Sequence, residues 1–511
     1  MNPFWLSETR IESATTAILL GAIPKDLLLG ELNLYHKGIF VIDPTSQSEK
    51  IDGVEYLDPC SSAEVIKERL NQFLMREYNK PPVVKVSKNI HDHLPTSADG
   101  ILKLIIQEID TTLRARRTRN ETGFDRQKQI FLNLPNYLKQ RVPDHWEAIG
   151  SQSLAVVVGA GPSLDETLTL LNSDIPNPII IATDSSLKAL HHADITPHFV
   201  VSIDPHKTFE VCSFPGFTPG QIILSSQSHK SWNIAWKDKK AFLSGRVISE
   251  DWLAEKGVSK TSFLAINNVG LTALAFANFL RPSVIILLGM DLSGKGSGEK
   301  RYAEKTGRSQ IEVHASKYHE IPGNYEKSVP TPFFSDWQET SEICSKISKK
   351  RLIINFNSMG AQLSGTTLVH PEATSELKEA LKENIKEFDE TKLPRITERK
   401  KISEFGLNQI LSLLASKCDQ IWKIMPNENS SSTELSEGLI NLFSDKEISS
   451  LLGDFAFSTM PKLMETDTNE ETELKGIRNQ LQQLVWTLED AILDCNPDEE
   501  FILRFFTEKF T

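Results

Sequence analysis

Apolar residues along this chain follow two patterns. In the middle, short and nearly continuous apolar runs recur: Leu154–Val158, Ile179–Ala182, Phe199–Ser202, a weaker Ile222–Leu224, Val284–Leu288 and Arg351–Phe356. Runs of this length, separated by helical stretches such as Leu271–Leu280, predict parallel strands covered on both faces. Beyond about residue 376 no strand is evident. There Leu474, Ile477, Leu481, Leu484 and Leu488 repeat at alternating spacings of three and four, which makes one apolar helical stripe. The stripe reads as packing within a helical bundle, with an oligomer or partner interface as the alternative. Near the start, Gly38–Asp43 reads as a strand ending in an acidic turn, Ala63–Tyr78 as a helix stopping before Pro81 and Pro82, and Val83–Val86 as a further strand. Ile101–Arg119 reads as a helix carrying Arg114, Arg116, Arg117 and Arg119, a solvated face or an anion grip.

These patterns predict an α/β protein in three regions. A small N-terminal α/β domain is expected over 1–110, and a helical C-terminal domain over 376–511. Between them, over 111–375, lies a central doubly wound, Rossmann-like, mostly parallel sheet. The 511 residues are too many for one ordinary core. A formal charge of −12 argues against a nucleic-acid binder, which needs a basic face over phosphates. No stretch is long and apolar enough for a membrane span, and the opening MNPFWLSETRIESA lacks a signal peptide's basic region and apolar run. A cytoplasmic location is therefore expected. Cys60, Cys212, Cys344, Cys418 and Cys495 are scattered and form no CxxC pair, so reduced, mostly buried thiols are expected rather than a disulfide framework or a zinc site. Glu465–Glu473 reads as a solvated loop.

Candidate chemistry gathers at strand ends. VVVGAGPSLDE (Val156–Glu166) runs a strand into Gly159-Ala160-Gly161, with a helix expected from Asp165. Glycines allow a sharp turn close to a ligand, and Ser163 with Glu166 has capping-box spacing. The helix N-terminus would then offer N–H groups to a phosphate. The full dinucleotide fingerprint is absent, because Leu164 stands at the third glycine. Three other strands end in Thr183-Asp184, in Asp204 and in Gly289-Met290-Asp291. Carboxyl ends of strands are where doubly wound sheets bind ligands, and an aspartate there can hold ribose hydroxyls, order a loop or hold magnesium. Asn268 and Gly270 open the helix Leu271–Leu280; Asn268 can hydrogen-bond a base or sugar, or serve as a plain cap. The glycine-rich, basic segment Ser293–Gly307 is expected to be mobile and lacks Walker spacing. His314 and His319 follow it as candidate general bases. His191 and His192 read as structural or exposed.

On these residues the sequence resembles the motility accessory factor (Maf) glycosyltransferases, whose central domain is shared with MptE-like pterin diphosphokinases. The matching pieces are Val157–Glu166, Ile180–Leu190, Val200–His206, Asn267–Leu280, Ile285–Ser293, Ile321–Trp337 and Ile354–Thr366. The resemblance implies transfer of a nonulosonic, sialic-acid-like sugar, of the pseudaminic or legionaminic kind, from a CMP donor to Ser or Thr of flagellin or another flagellar protein. Gly159, Gly161, Pro162 and Ser163 would surround the CMP phosphate. Asp184 and Asp204 would lie near ribose or sugar, with Thr183 beside them. Asn268, Gly270, Gly289 and Asp291 would face the cytidine side. His314, or His319, would deprotonate the acceptor hydroxyl. No obligatory cofactor is implied; magnesium enters only under the alternative, an ATP-dependent 6-hydroxymethyl-dihydropterin diphosphokinase. A third reading is a non-catalytic sugar-nucleotide-binding or flagellar accessory protein.

Overall fold

Each apolar run in the middle of the chain coincides, to within a residue, with a strand of the computed structural model. The structure describes residues 4–8, 14–43, 50–57, 63–74, 81–93, 95–173, 175–294, 300–308, 319–393, 404–464 and 471–510. Contacts divide the chain into two compact units, Met1–Gly123 and Phe124–Thr511.

The first unit is a five-stranded sheet: β1 (Trp5–Glu8), β2 (Thr16–Leu20), β3 (Gly38–Ile42), β4 (Val54–Leu57) and β5 (Val83–Ser87), in the order β1-β5-β2-β3-β4. β5, β2, β3 and β4 run parallel, and β1 pairs antiparallel with β5. The helix Lys25–Leu34 connects β2 to β3, and Ala63–Leu74 connects β4 to β5. The helix expected to reach Tyr78 is described only to Leu74, and 75–80 lie outside the described residues. All five residues of β5 are buried, including Lys85. Its charge is compensated by Glu31, whose Oε2 lies 2.8 Å from Nζ, and by the rings of Trp5 and Tyr35. The helix expected over Ile101–Arg119 belongs to a longer one, Pro95–Lys139; the side chains of Arg114, Arg116, Arg117 and Arg119 lie outside the described residues.

The second unit is built on eight parallel strands. They are β6 (Leu154–Val158), β7 (Ile179–Thr183), β8 (Phe199–Ser202), β9 (Gln221–Ser225), β10 (Lys240–Leu243), β11 (Val284–Leu288), and, after a small antiparallel hairpin β12 (His319–Ile321) and β13 (Val329–Thr331), β14 (Leu352–Phe356) and β15 (Thr367–Val369). The order is β10-β9-β8-β7-β6-β11-β14-β15. Successive strands step outward from β6 to β10, and then β11 returns to the other flank of β6. The order reverses between β6 and β11, and the carboxyl ends at such a reversal are where doubly wound sheets bind ligands.

Residues of β6 alternate between two cores, which is why its run is uniformly apolar. Ala155 and Val157 face Leu271, Leu274 and Phe276 of the helix Val269–Phe279. Leu154, Val156 and Val158 belong to the core that contains Leu411, Leu481 and Leu484 of the C-terminal helices. Those helices are Glu404–Ile424, Ser432–Ser444, Lys446–Met464, Glu471–Leu493 and Glu499–Phe510. The stripe Leu474, Ile477, Leu481, Leu484 and Leu488 is buried in this core, so its apolar face is spent inside the chain. Cys212, Cys344, Cys418 and Cys495 are buried free thiols, and Cys60 lies outside the described residues. Among the described residues no helix is long and apolar enough to cross a membrane.

Candidate functional site

The turns after β6 and β11 are knitted to each other. Gly159 N donates to Leu288 O at 2.7 Å, and Gly161 N to Gly289 O at 2.8 Å. Ser163 donates its backbone N–H and its hydroxyl to Asp291 Oδ2, at 3.1 and 3.0 Å. The glycines are set by this closeness: a Cβ on Gly161 would stand 2.1 Å from Asp291 Oδ2, and one on Gly159 2.4 Å from Gly289 O. Gly289 takes φ +61°, which favours glycine. Gly270 belongs to the same contact, since a Cβ there would meet the Met290 side chain at 2.8 Å.

Two sequence expectations are corrected here. The capping box at Ser163 does not form, because Ser163 is helical in backbone and its hydroxyl goes to Asp291. The helix beyond it, Leu164–Thr167, is a single turn running into a 3₁₀ turn at Leu168–Leu170. The amides of Gly159, Gly161 and Ser163 are likewise committed to Leu288, Gly289 and Asp291. The turn therefore does not offer these N–H groups to a phosphate.

Asp291 is 1% exposed. Burial raises its carboxyl to about 6, opposed by the two hydrogen bonds from Ser163 and by the Asn357 side chain, which lies near it but outside hydrogen-bonding geometry. Its Oδ1 has no hydrogen-bond partner, and it is not alone in this. Buried and unpartnered at the carboxyl end of β14 are Asn355 Oδ1, both polar side-chain atoms of Asn357, and Ser358 Oγ. The segments around them are tied together: Asn324 Nδ2 donates to Met359 O at 2.7 Å, Tyr325 Oη to Asn357 O at 3.0 Å, and Ala361 N to Asp291 O at 2.8 Å. Buried polar groups are nearly always paired, so this cluster calls for a partner that carries donors and acceptors. The matched pieces of sequence contained these asparagines without assigning them a role.

A second group sits at the ends of β7 and β8. Asp184, fully buried, accepts from Ser185 N at 2.6 Å, from Ser202 Oγ at 3.0 Å, and from Lys207 Nζ at 3.4 Å. Burial works against the Lys207 charge, but Asp184 first and Asp204 next hold its ammonium above the usual lysine range. Lys207 was not among the candidates; its signal was a lysine three positions past Asp204 at a strand end. Cys212, pushed up to about 12 by burial and by Asp184, accepts from Arg308 at 3.7 Å. Thr183 Oγ1 donates to Val158 O and so ties β7 to β6. Asp204 accepts from His206 N in a local turn.

As a magnesium site Asp184, Asp204 and Asp291 do not fit together. Each holds a different set of donors, and among the described residues no group of three or more His, Cys, Asp or Glu side chains gathers.

Other candidates fall at the rim. Asn268 caps the helix Val269–Phe279 by accepting from Leu271 N at 2.7 Å, and its amide lies beside the half-buried Asp336. Pro162, half-buried, lies in the β6 turn. His319 lies on the β12–β13 hairpin against Phe334, and that hairpin docks on the β11 turn through Thr331 Oγ1 to Leu292 O at 2.6 Å. His314 lies outside the described residues, as do 295–299 of the glycine-rich segment. The described part of that segment packs on the β6 turn, with Ala303 N donating to Ala160 O and Glu304 N to Asp165 Oδ2. His191 and His192 are exposed and pack on Phe217 and Phe214.

Residues 128–296 match the family described as 6-hydroxymethylpterin diphosphokinase MptE-like. No curated protein matches the chain. Among solved structures, the MAf glycosyltransferase from Magnetospirillum magneticum AMB-1 is similar at 14% identity and a TM-score of 0.48, covering 95% of this chain and 80% of that one. The family match covers β6 to β11 with the turns that follow them, and that part of the chain is similar to the MptE-like family.

Proposed function

We propose that this protein is a glycosyltransferase that takes a nonulosonic sugar from a CMP donor at the carboxyl ends of β6, β11 and β14 and passes it to Ser or Thr of flagellin. The observation that carries this reading is the set of buried, unpartnered polar atoms on Asp291, Asn355, Asn357 and Ser358 at the reversal of strand order. A nucleoside offers the hydroxyls and ring nitrogens that such a set would pair. The motif resemblance supplies the reaction and the acceptor.

In this reading the knitted turns position rather than grip. Asp291 fixes Ser163, and the pair sets the floor of the site. The phosphate charge falls to Lys207, since the amides of the β6 turn are occupied. A stabilised phosphate makes CMP a ready leaving group, and the sugar passes through a cationic, oxocarbenium-like state. His314 or His319 takes the proton from the acceptor hydroxyl.

The test is transfer of labelled sugar from a CMP-nonulosonate to purified flagellin, with chelator present. Labelled flagellin supports the reading; no label, with intact donor, contradicts it. The family match favours a second reading, diphosphate transfer from ATP to a hydroxymethylpterin. Such transfer would depend on magnesium, and formation of AMP only with the pterin present would establish it.

A further inference from the structure

Arg308 follows the glycine-rich segment and is half-buried. Its guanidinium lies 5.4 Å from the centre of the Tyr302 ring and donates to the Cys212 thiol at 3.7 Å. A thiol is a weak acceptor, and a ring face takes none of the five N–H donors in the plane of the fork. Among the described residues no carboxylate pairs with this cation. The backbone holds it in place: Gly307 turns the chain with φ +62° after the 3₁₀ turn Glu304–Thr306, and Thr306 Oγ1 accepts from Arg308 N at 3.3 Å. Gly307 also lines a shallow surface hollow with His192, Glu304 and Lys305, so the segment borders solvent rather than the packed core. A second cation belongs to the same cluster. The Cys212 thiol feels the charges of Asp184, Arg308 and Lys207, which brings the guanidinium and the ammonium around one side chain at the ends of β7 and β8. Lys207, whose side chain is 19% exposed, is answered by Asp184 and by Asp204. Arg308 is left as the cation without a counter-charge.

We propose that Arg308 binds the carboxylate of an acidic sugar donor, beside the phosphate that Lys207 holds. The inference rests on the transferase reading and deepens it. In a nonulosonic acid the carboxylate is bonded to the anomeric carbon, the same carbon that carries the phosphate, so the donor's two anions are neighbours. A point charge and a planar fork set around one thiol match that pair, since a guanidinium takes a carboxylate in two parallel hydrogen bonds. Neutral sugar nucleotides lack the second anion, so Arg308 makes the site selective for acidic donors.

Calorimetric titration of the full chain with CMP, CMP-N-acetylneuraminate and pyrophosphate, for wild type, Arg308→Met and Arg308→Lys, tests this. Wild type should bind the sugar nucleotide more tightly than CMP. Arg308→Met should weaken the sugar nucleotide about tenfold or more and leave CMP within about twofold, with Arg308→Lys between the two proteins. Arg308→Lys keeps the charge and carries the comparison if Arg308→Met does not fold, as its Tm would show. Equal losses on CMP and on the sugar nucleotide would put Arg308 on the phosphate, and no loss on either would make it a packing residue; each overturns the proposal. A stronger Arg308 dependence with pyrophosphate than with the sugar nucleotide would overturn it in favour of a diphosphate. Wild type that binds the sugar nucleotide without any Arg308 dependence leaves the transferase reading standing and sinks this inference alone. Wild type that binds neither CMP compound contradicts that reading, and the inference falls with it.

Discussion

Ser163 spends both its backbone N–H and its hydroxyl on one oxygen of Asp291, 128 residues away in sequence. The bond joins the turns on either side of the reversal, and the carboxylate is an anion built into the site. A glycine-rich turn followed by a helix looks in sequence like a phosphate cradle, yet here a side chain of the neighbouring strand already occupies it.

Removing that anchor should cost more than neutralising it. Asp291→Ala strands the two donors of Ser163, at about 1–3 kcal/mol for each buried group left unpaired. Asp291→Asn keeps an acceptor and sheds the burial penalty on the charge, so its loss should be under about 1 kcal/mol. Denaturant unfolding of both variants at neutral pH checks this ordering; equal losses would deny the anchoring role.

Glu250 should make stability fall with rising pH. It is 1% exposed, accepts from Ser226 Oγ and from Gly245 N, and burial raises its carboxyl from 4.5 to about 7. The folded state thus holds the proton more tightly than the unfolded state. The stability this contributes is complete below pH 4.5 and is lost as pH rises through about 7. Glu250→Gln should therefore gain on the wild type between pH 5 and pH 8 when Tm is measured at both. A constant difference across that range would contradict the assignment.

Lys207→Met keeps the aliphatic stem and deletes the charge beside Asp184. Asp184 retains its Ser185 and Ser202 donors, so the stability loss should stay within about 1–3 kcal/mol. Affinity for CMP should fall about tenfold or more, a loss of about 1.4 kcal/mol. Calorimetric titration with CMP checks it, and cytidine, which lacks the phosphate, should bind both forms alike.

In the first unit, Lys85→Met leaves Glu31 buried without its cation and should cost roughly 3–5 kcal/mol. Adding Glu31→Gln to that variant should recover a large part of the loss, since Trp5 Nε1 still has an oxygen to donate to. Thermal unfolding of the single and double variants tests the pair.

Strands buried on both faces were legible because every position is apolar: β6 and β11 were read residue for residue. β2 (TAILL) is short and lies in a mixed context, and β10 (KAFL) opens on Lys240, whose ammonium is paired with Asn233 O. Such strands owe their state to neighbours that a local pattern does not report. At the site, the Gly159–Ser163 and Gly289–Asp291 turns were legible, whereas their union was not, because Ser163 and Asp291 meet only through the order of the strands. Asn355 and Asn357 carried a usable signal, two amides at a period of two at the end of an apolar run.

The central claim is that the unpartnered polar atoms of Asn357 and the unpartnered Asn355 Oδ1 wait for a nucleotide. It is tested most directly by the Tm of wild type and Asn357→Leu, each with and without CMP. Without ligand, Leu should match or exceed the wild type, because two buried polar atoms are removed. Saturating CMP should raise the wild-type Tm by mass action and leave the variant unmoved. A variant that loses stability alone, or that responds to CMP as the wild type does, would contradict the claim.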